Sequence, residues 1–187
     1  MRNFLCIANN VDVVPLLMAV QRQDLWNQHR FRTTFKGTPH KDVDDIWLRY
    51  TDDKKANPDD PHEAIIDTTP IWHEAYKKLP QVKPIIFDLM RRLEAYELGR
   101  VLITRLKPGG RILPHSDNYG DYVLDPDVAR YHIVLQGLPG SLYRTGDETV
   151  CMKTGEVWWF NALIEHEVMN NSSDDRIHLL VDVRLSP

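Results

Sequence analysis

The ten residues from Arg176 to Leu185, RIHLLVDVRL, decide the fold class because apolar and polar side chains alternate along them. Successive side chains of a β-strand point to opposite faces, so this stretch predicts a strand with two unlike faces. One face carries Ile177, Leu179, Val181 and Val183, and the other carries Arg176, His178, Leu180 and Asp182. The stretch RYHIVLQG, residues 130–137, repeats the pattern with Arg130 and His132 on its polar face. A polar face usually contacts solvent, but two such strands together favour a polar interior.

Short alternating runs follow one another from residue 100 to the end of the chain, separated by Gly, Pro, Asn and Asp. They are RVLITRL, RILPHSD, RYHIVLQG, SLYRTG, EVWWFN, HEVMN and RIHLLVDVRL. Short strands at regular spacing are typical of a sandwich or barrel. We therefore expect a mainly β, α+β fold with an eight-stranded antiparallel jelly roll, a cupin-like double-stranded β-helix, over about residues 100–187.

The first 99 residues are expected to be rich in helix. Helical spacing of apolar residues predicts helices over 11–28, 69–78 and 83–98, with Gly99 as the stop of the last one. The polar stretch 51–63 predicts a loop, which could serve as a lid. A chain of 187 residues is long enough for one core, so we expect a single domain over 1–187, with these helices packed on the jelly roll.

Composition limits the classes of partner. The chain is 42% hydrophobic and 27% charged with a formal net charge of -4, which gives no electrostatic reason to expect nucleic-acid or membrane binding. Two cysteines, Cys6 and Cys151, do not form a disulfide framework or a zinc site and are expected to be free thiols. No run approaches the roughly 18 apolar residues of a membrane span. We expect a cytoplasmic protein without a membrane or nucleic-acid partner.

Two His-x-Asp pairs could point both side chains at one metal ion. His115 and Asp117 lie in ILPHSDNYGDY, residues 112–122, and His40 and Asp42 lie in TPHKDVDD, residues 38–45. With 8 His and 19 Asp in 187 residues, about one such pair is expected by chance. The pattern alone therefore does not choose between them.

The strands around the first pair favour it. In a small barrel the inward faces meet, so Arg130, His132 and Arg176 can converge with His115 and Asp117. The candidate for a second histidine is His166, in FNALIEHEVMNNSS, although a lone histidine at a strand start is more often a surface residue. Two imidazoles and one carboxylate on one octahedral face hold Fe(II) and leave three positions open. A buried arginine such as Arg176 suits the far carboxylate of 2-oxoglutarate, because its pairing is bidentate and its charge is permanent.

These residues also carry a resemblance to a known family. The stretch GEVWWFNALIEHEVMNNSSDDRIHLLVDV, residues 155–183, resembles the C-terminal core of the aspartyl/asparaginyl β-hydroxylase family of Fe(II)/2-oxoglutarate dioxygenases. PHSD and RYHIVLQG fall where that family has its first iron-ligand histidine and an Arg-x-His strand. The resemblance covers about residues 105–184. It implies iron ligation by His115 and His166, Arg176 on the distal carboxylate of 2-oxoglutarate, and Arg130 with His132 near its other end.

Asp117 departs from one branch of the family. The animal enzymes have a glycine at this position and a two-histidine site, whereas the aspartate matches the general dioxygenase triad. We expect Asp117 to bind the metal.

The expected activity is an Fe(II)- and 2-oxoglutarate-dependent dioxygenase that uses O2 to hydroxylate an amino acid or an amino-acid side chain in a peptide or protein. The acceptor is then a small molecule or a peptide. Arg49 and Trp47, on a strand expected over 46–50, are candidates for the substrate side of the pocket, although a position at the edge of the core explains them equally well. His40 and Asp42 are expected at the surface or at the pocket mouth. The alternatives are a non-catalytic cupin-like binding module and an oxygenase acting on a nucleobase.

Overall fold

The structure, a computed structural model, describes residues 3–55, 70–117 and 128–186. The strands in these ranges are β1 (Phe4–Ala8), β2 (Val43–Tyr50), β3 (Ile71–Trp72), β4 (Glu97–Leu106), β5 (Arg111–His115), β6 (Val128–Gln136), β7 (Ser141–Thr145), β8 (Glu148–Val150), β9 (Val157–Phe160), β10 (His166–Asn170) and β11 (Arg176–Arg184). The helices are α1 (Val14–Gln21), α2 (Phe31–Thr34), α3 (Glu74–Lys78) and α4 (Val82–Leu93), with a 3-10 turn at Asp53–Lys55.

The strands form two antiparallel sheets. The larger has the order β1-β9-β6-β11-β4-β2-β3 and the smaller has the order β5-β10-β7-β8. Every strand run expected after residue 99 is present, so the predicted mainly β, double-stranded β-helix class is confirmed. Strands β1, β3 and β8 were not predicted, and three strands of the larger sheet come from the first 99 residues.

The predicted apolar faces of β6 and β11 form the main core together with the helices. The core includes Ile177, Leu179, Val181 and Val183 of β11 and Tyr131, Ile133 and Leu135 of β6. Helix α4 packs on this layer with Val82, Ile86 and Leu89, which are spaced so that one helical stripe is buried. The helices thus cover the apolar face of the larger sheet, and its polar face is left to line the interior.

The predicted helix over 83–98 is wrong at its C-terminal end. Helix α4 ends at Leu93, and Glu94 caps it in the left-handed conformation with φ 49°. Gly99, expected as a helix stop, lies instead within β4, where a Cβ would come 2.9 Å from the carbonyl oxygen of Asp182. Its lack of a side chain therefore allows β4 and β11 to approach closely.

The other helix predictions are too long. The one over 11–28 is observed as α1, Val14–Gln21, and the one over 69–78 begins only at Glu74 because the preceding residues form β3. The predicted loop 51–63 lies largely outside the described residues, which include it only as far as residue 55. No helix in the described ranges is both long and apolar enough to cross a membrane. Cys6 and Cys151 are both free, as expected.

Candidate functional site

A cavity of about 370 Å³ lies between the polar face of the larger sheet and the smaller sheet. Its wall includes six residues that the sequence analysis selected: His115, Asp117, Arg130, His132, His166 and Arg176. The strand pairing explains part of this convergence, because β10 pairs with β5 so that His166 lies directly opposite His115. The prediction that the two polar strand faces point inward is confirmed by their burial in this wall.

His115, Asp117 and His166 bring their ligand atoms together at one point. Nε2 of His115 lies 3.5 Å from Oδ1 of Asp117, and Nε2 of His166 lies 3.7 Å from the same oxygen. One potential ligand atom from each residue falls within 4.8 Å of the others. Two imidazole nitrogens and a carboxylate oxygen at this spacing fit one face of an octahedral metal ion.

Backbone hydrogen bonds set the tautomer of both histidines. Nδ1 of His115 lies 2.7 Å from the carbonyl oxygen of Leu113, and Nδ1 of His166 lies 2.9 Å from that of Ile164. A carbonyl oxygen can only accept, so in the neutral form of each ring Nδ1 carries the proton and Nε2 keeps its lone pair. Burial, opposed in part by Asp117, lowers the pKa of His166 and keeps this ring neutral. Both Nε2 atoms are therefore free to bind a metal, as in metal sites with an oriented histidine.

Asp117 is held as an ionised carboxylate. Burial alone would raise the pKa of its carboxyl, but the Arg130 guanidinium outweighs burial and holds the pKa well below its usual range. Arg130 donates to Oδ2 of Asp117, which leaves Oδ1 directed at the histidines. The backbone N–H of Asp117 donates to the carbonyl of Ala162 at 2.9 Å.

Arg130 is itself held by a second carboxylate. Its Nε and Nη2 donate to the two oxygens of Asp182 at 2.7 Å and 2.9 Å. Asp182 projects from β11, so the chain Asp182–Arg130–Asp117 connects the larger sheet to the metal-ligand candidates. The guanidinium predicted to contact 2-oxoglutarate thus already binds two carboxylates, although it lines the cavity.

Arg176 is a buried cation in the same cavity. Its residue is 3% exposed, and among the described residues no carboxylate lies within ion-pair distance of it. Nη2 donates to Nδ1 of His178 at 3.1 Å, and the guanidinium lies 5.7 Å from the ring centroid of Tyr143. Burial lowers the pKa of Arg176 to about 10, so it is still charged at neutral pH. A buried charge without a counterion is costly, and an anionic ligand would supply one.

His132 and His178 form a neutral pair beside Arg176. Their Nδ1 atoms lie 3.2 Å apart, and the Nε2 atom of each is buried with no hydrogen-bond partner in the part of the chain that the structure describes. Burial and the Arg176 charge hold the pKa of both rings well below the usual histidine value. His178 was not predicted as a site residue, although its place on the polar face of β11 marks it.

The two candidates for the substrate side do not line the cavity. Trp47 is 1% exposed and stacks on His29, with ring centroids 5.0 Å apart. Arg49 donates to the carbonyl of Gly99 at 2.9 Å and lies over Trp72. The strand pairing shifts between Trp47 and Arg49, so the alternation of β2 is broken there. In this structure both residues have the structural role that the sequence allowed as the alternative.

The upstream His-x-Asp pair is divided. Asp42 is exposed and accepts a hydrogen bond from the backbone of Arg111, as a surface residue would. His40 lies in the cavity wall with its ring centroid 4.9 Å from that of His115. The expectation that His40 lies at the surface is therefore wrong, and its alternative place at the pocket is the one observed. The docking of its loop on β5, through Leu113 N–H and the Pro39 carbonyl, could not be read from the sequence.

Solved structures with the same architecture are 2-oxoglutarate-Fe(II) oxygenases. An oxidoreductase of that family from Burkholderia pseudomallei matches with a TM-score of 0.59 at 14% identity, over 98% of this chain and 85% of its own. A prolyl-4-hydroxylase from Pseudomonas putida matches with a TM-score of 0.54 at 17% identity, over 100% and 95%. A collagen prolyl hydroxylase of Paramecium bursaria Chlorella virus-1 gives 0.54 at 12% identity, over 100% and 97%. The fold is therefore the double-stranded β-helix of this class.

Residues 64–185 match the aspartyl/asparaginyl beta-hydroxylase family, and the chain belongs to that family. Among curated proteins, the L-proline cis-4-hydroxylase of Rhizobium meliloti (strain 1021) is 32% identical over 80 residues. Those residues are 43% of this chain and 28% of the relative, so the match spans less than a third of the relative's length. The suspected family is thus confirmed.

Proposed function

We propose that this protein is an Fe(II)- and 2-oxoglutarate-dependent dioxygenase that hydroxylates an amino acid or an amino-acid side chain. The observation that carries the proposal is one cavity with two complementary parts. The first is the cluster of two Nε2 lone pairs and one ionised carboxylate, at His115, His166 and Asp117. The second is the buried Arg176, whose charge has no carboxylate partner among the described residues. The donor set fits a non-haem Fe(II) site, and the cation fits a dicarboxylate cosubstrate.

When bound, Fe(II) and 2-oxoglutarate together with O2 supply the oxidation of a C–H bond, with 2-oxoglutarate converted to succinate and CO2. The chain's own residues would bind and orient the metal and the cosubstrate. His115, Asp117 and His166 would hold the iron on one face, and the Nδ1 bonds to Leu113 and Ile164 keep both rings aimed. Arg176 would pair with the distal carboxylate of the cosubstrate.

Arg130 and His132 line the cavity, and the cosubstrate-binding role predicted for them stays a prediction. The two carboxylates around Arg130 support a further role, in which its guanidinium keeps Oδ2 of Asp117 turned away from the histidines. His132 contributes a neutral ring with a buried, unpartnered Nε2 atom. That atom is available to a polar group of a bound ligand.

The acceptor is proposed by analogy. Because the matching curated relative is named an L-proline cis-4-hydroxylase, free L-proline is the first acceptor to test, followed by other free amino acids and by peptides. A cytoplasmic location and the absence of a nucleic-acid partner stay predictions.

The test measures succinate formation by the purified protein with Fe(II), 2-oxoglutarate and air, with each acceptor added in turn. The mass of each product is determined by mass spectrometry. We expect acceptor-dependent succinate and a product heavier by one oxygen atom. His166→Ala should abolish both, whereas Asp42→Asn, in the exposed half of the other His-x-Asp pair, should not. If neither succinate formation nor iron binding is found, the chain is a binding module. Oxidation of a nucleobase but of no amino acid would establish the other alternative.

A further inference from the structure

A further guanidinium in the cavity wall, that of Arg32, is largely buried. Arg32, in the single turn of α2, lines the cavity between Phe31 and Phe35, which also line it. Its Nε lies 3.4 Å from Oδ2 of Asp45, which is 1% exposed, whereas Nη1 of Arg32 is buried and has no hydrogen-bond partner among the described residues. A buried N–H without an acceptor is costly and is rare in native proteins. The edge of Arg32 that does not face Asp45 therefore suits an anionic ligand.

Arg32 does not belong to the group around Arg176. Asp45 of β2 pairs with Thr104 of β4, and Thr104 pairs in turn with His178 of β11. Asp45 is thus two strands away from His178, which is about 10 Å at the usual strand spacing. His178 is the residue to which Arg176 donates. The residues to which the two arginines are anchored, Asp45 and His178, therefore lie two strands apart in the larger sheet.

His40 offers a second polar atom on the Arg32 side. Its backbone N–H donates to Oγ1 of Thr38 at 3.1 Å, and that hydroxyl donates to the carbonyl of Arg32 at 2.7 Å. These bonds join His40 to the turn that carries Arg32. Within the described ranges its Nδ1 is buried without a hydrogen-bond partner, and its ring packs edge-on against His115. A ligand bound between Arg32 and His40 would therefore lie next to the metal-ligand candidates.

A carboxylate fits this place. Guanidinium pairs with carboxylate through parallel N–H donors, and the Nδ1–H tautomer of His40 would add one more. The cavity of about 370 Å³ is near the small end of the roughly 300–1,000 Å³ range for ligand pockets, yet it must hold both 2-oxoglutarate and the acceptor. A free amino acid is small and has an α-carboxylate, whereas a residue inside a peptide has an amide in its place.

We propose that Arg32, with His40 beside it, binds the carboxylate of the acceptor, and that the acceptor is a free amino acid with its side chain against Phe31 and Phe35. This inference rests on the proposed function, because it takes the other end of the cavity as the 2-oxoglutarate site. Arg32 is then the residue that separates free amino acids from peptides.

The experiment measures binding by calorimetry to the protein loaded with Mn(II) and 2-oxoglutarate. The probes are the free L-amino acids and the C-terminal amide of each one that binds. We expect at least one free amino acid to bind, and its amide to bind about 10- to 100-fold more weakly, the range for one charged hydrogen bond. Arg32→Gln should weaken binding of the free amino acid by a similar factor and bring the ratio of the two affinities, for the acid and for its amide, close to one. The affinity for 2-oxoglutarate should stay unchanged.

Two further variants make the result clear. Arg32→Gln leaves Asp45 buried and unpaired, so the double variant Arg32→Gln/Asp45→Asn removes both charges and should show the same loss of discrimination. Arg91→Gln, the same substitution at an exposed site on α4, should change neither the affinity for the amino acid nor that for 2-oxoglutarate. The inference is overturned if wild type binds amides or peptides as well as acids, or if both Arg32 variants keep the preference for the acid. It is also overturned if the two Arg32 variants lose affinity for 2-oxoglutarate instead of for the amino acid, or if wild type binds 2-oxoglutarate but no free amino acid. Failure of 2-oxoglutarate itself to bind would refute the proposed function and this inference with it.

Discussion

Replacing Arg176 by methionine should make the empty protein more stable and at the same time remove its response to 2-oxoglutarate. Methionine has a similar length but no charge, so it removes a buried guanidinium that has no carboxylate partner among the described residues. Substitutions in a protein interior usually destabilise by about 0.5–3 kcal/mol. A stabilising result would therefore be specific to a cation that is kept for a ligand.

The magnitude follows from the environment of Arg176. Burial lowers its pKa to about 10, a drop that corresponds to about 3 kcal/mol for keeping the side chain charged. This cost is fully present at neutral pH, because it is relieved only as the pH rises above about 10. The variant loses the hydrogen bond to His178 and the contact with Tyr143, together about 2 kcal/mol. The expected net gain is about 1 kcal/mol, or an increase in Tm of about 2–4 °C.

The assay is thermal unfolding of wild type and Arg176→Met without ligands, with Mn(II) alone, and with Mn(II) and 2-oxoglutarate. Relative to Mn(II) alone, 2-oxoglutarate at one hundred times its wild-type Kd should stabilise wild type by about 2.7 kcal/mol and leave the variant unchanged. Arg105→Met is the matched control, because Arg105 on β4 donates two hydrogen bonds to Asp44, at 3.0 Å and 2.7 Å. That control should lower Tm but keep the response to the ligand. A clear fall in the Tm of ligand-free Arg176→Met, or a ligand response equal to that of wild type, would refute the reasoning.

Three further outcomes are expected. Asp182→Asn should loosen Arg130 and lower Mn(II) affinity by about 10- to 100-fold in a titration, and unchanged affinity would show that this bond is not needed. Burial holds the pKa of His178 well below its usual value. Below about pH 6.5 this histidine is therefore protonated in the unfolded chain before it is protonated in the folded protein, and the free energy of unfolding decreases as the pH is lowered. In urea unfolding, His178→Leu should therefore lose less stability than wild type between pH 6.5 and 5, the difference being up to about 1.4 kcal/mol per pH unit. The same pH dependence in both proteins would contradict this. Gly99→Ala places a Cβ 2.9 Å from the Asp182 carbonyl oxygen and should destabilise by about 1–3 kcal/mol in urea, whereas a neutral effect would mean that β4 can shift.

Alternation of side chains explains how much could be predicted. Strands β6 and β11 are nine residues long, and along each of them the sequence distinguishes an apolar face from a polar one. The apolar faces form the buried layer under the helices, and the polar faces form the cavity wall. His115 and His166 then meet because both stand at strand ends in one antiparallel pair. The three side chains predicted to converge, those of His115, Asp117 and His166, are therefore brought together by the fold, and their role as metal ligands stays a prediction.

Long-range contacts explain what could not be predicted. The shift in pairing between Trp47 and Arg49 breaks the alternation of β2, so these two residues do not share one face of the sheet. His40 enters the wall only because its loop docks on a strand more than seventy residues later, and nothing local to PHKD signals that contact. Helix α4 could not be ended correctly because Leu98 continues its apolar spacing, although it belongs to β4. In each case a neighbour distant in sequence decides the outcome.

The central claim is that His115, Asp117 and His166 bind one metal ion, and titration of the metal-free protein with Co(II) followed by its visible spectrum tests it most directly. Wild type should bind one equivalent. Asp117→Gly should weaken binding by at least about tenfold, because a charged ligand on the shared face is lost. Asp42→Gly, the same substitution in the other His-x-Asp pair, should bind as wild type does. Unchanged affinity in Asp117→Gly would contradict the three-ligand site and leave a two-histidine one, and no binding by wild type would contradict the metal site altogether.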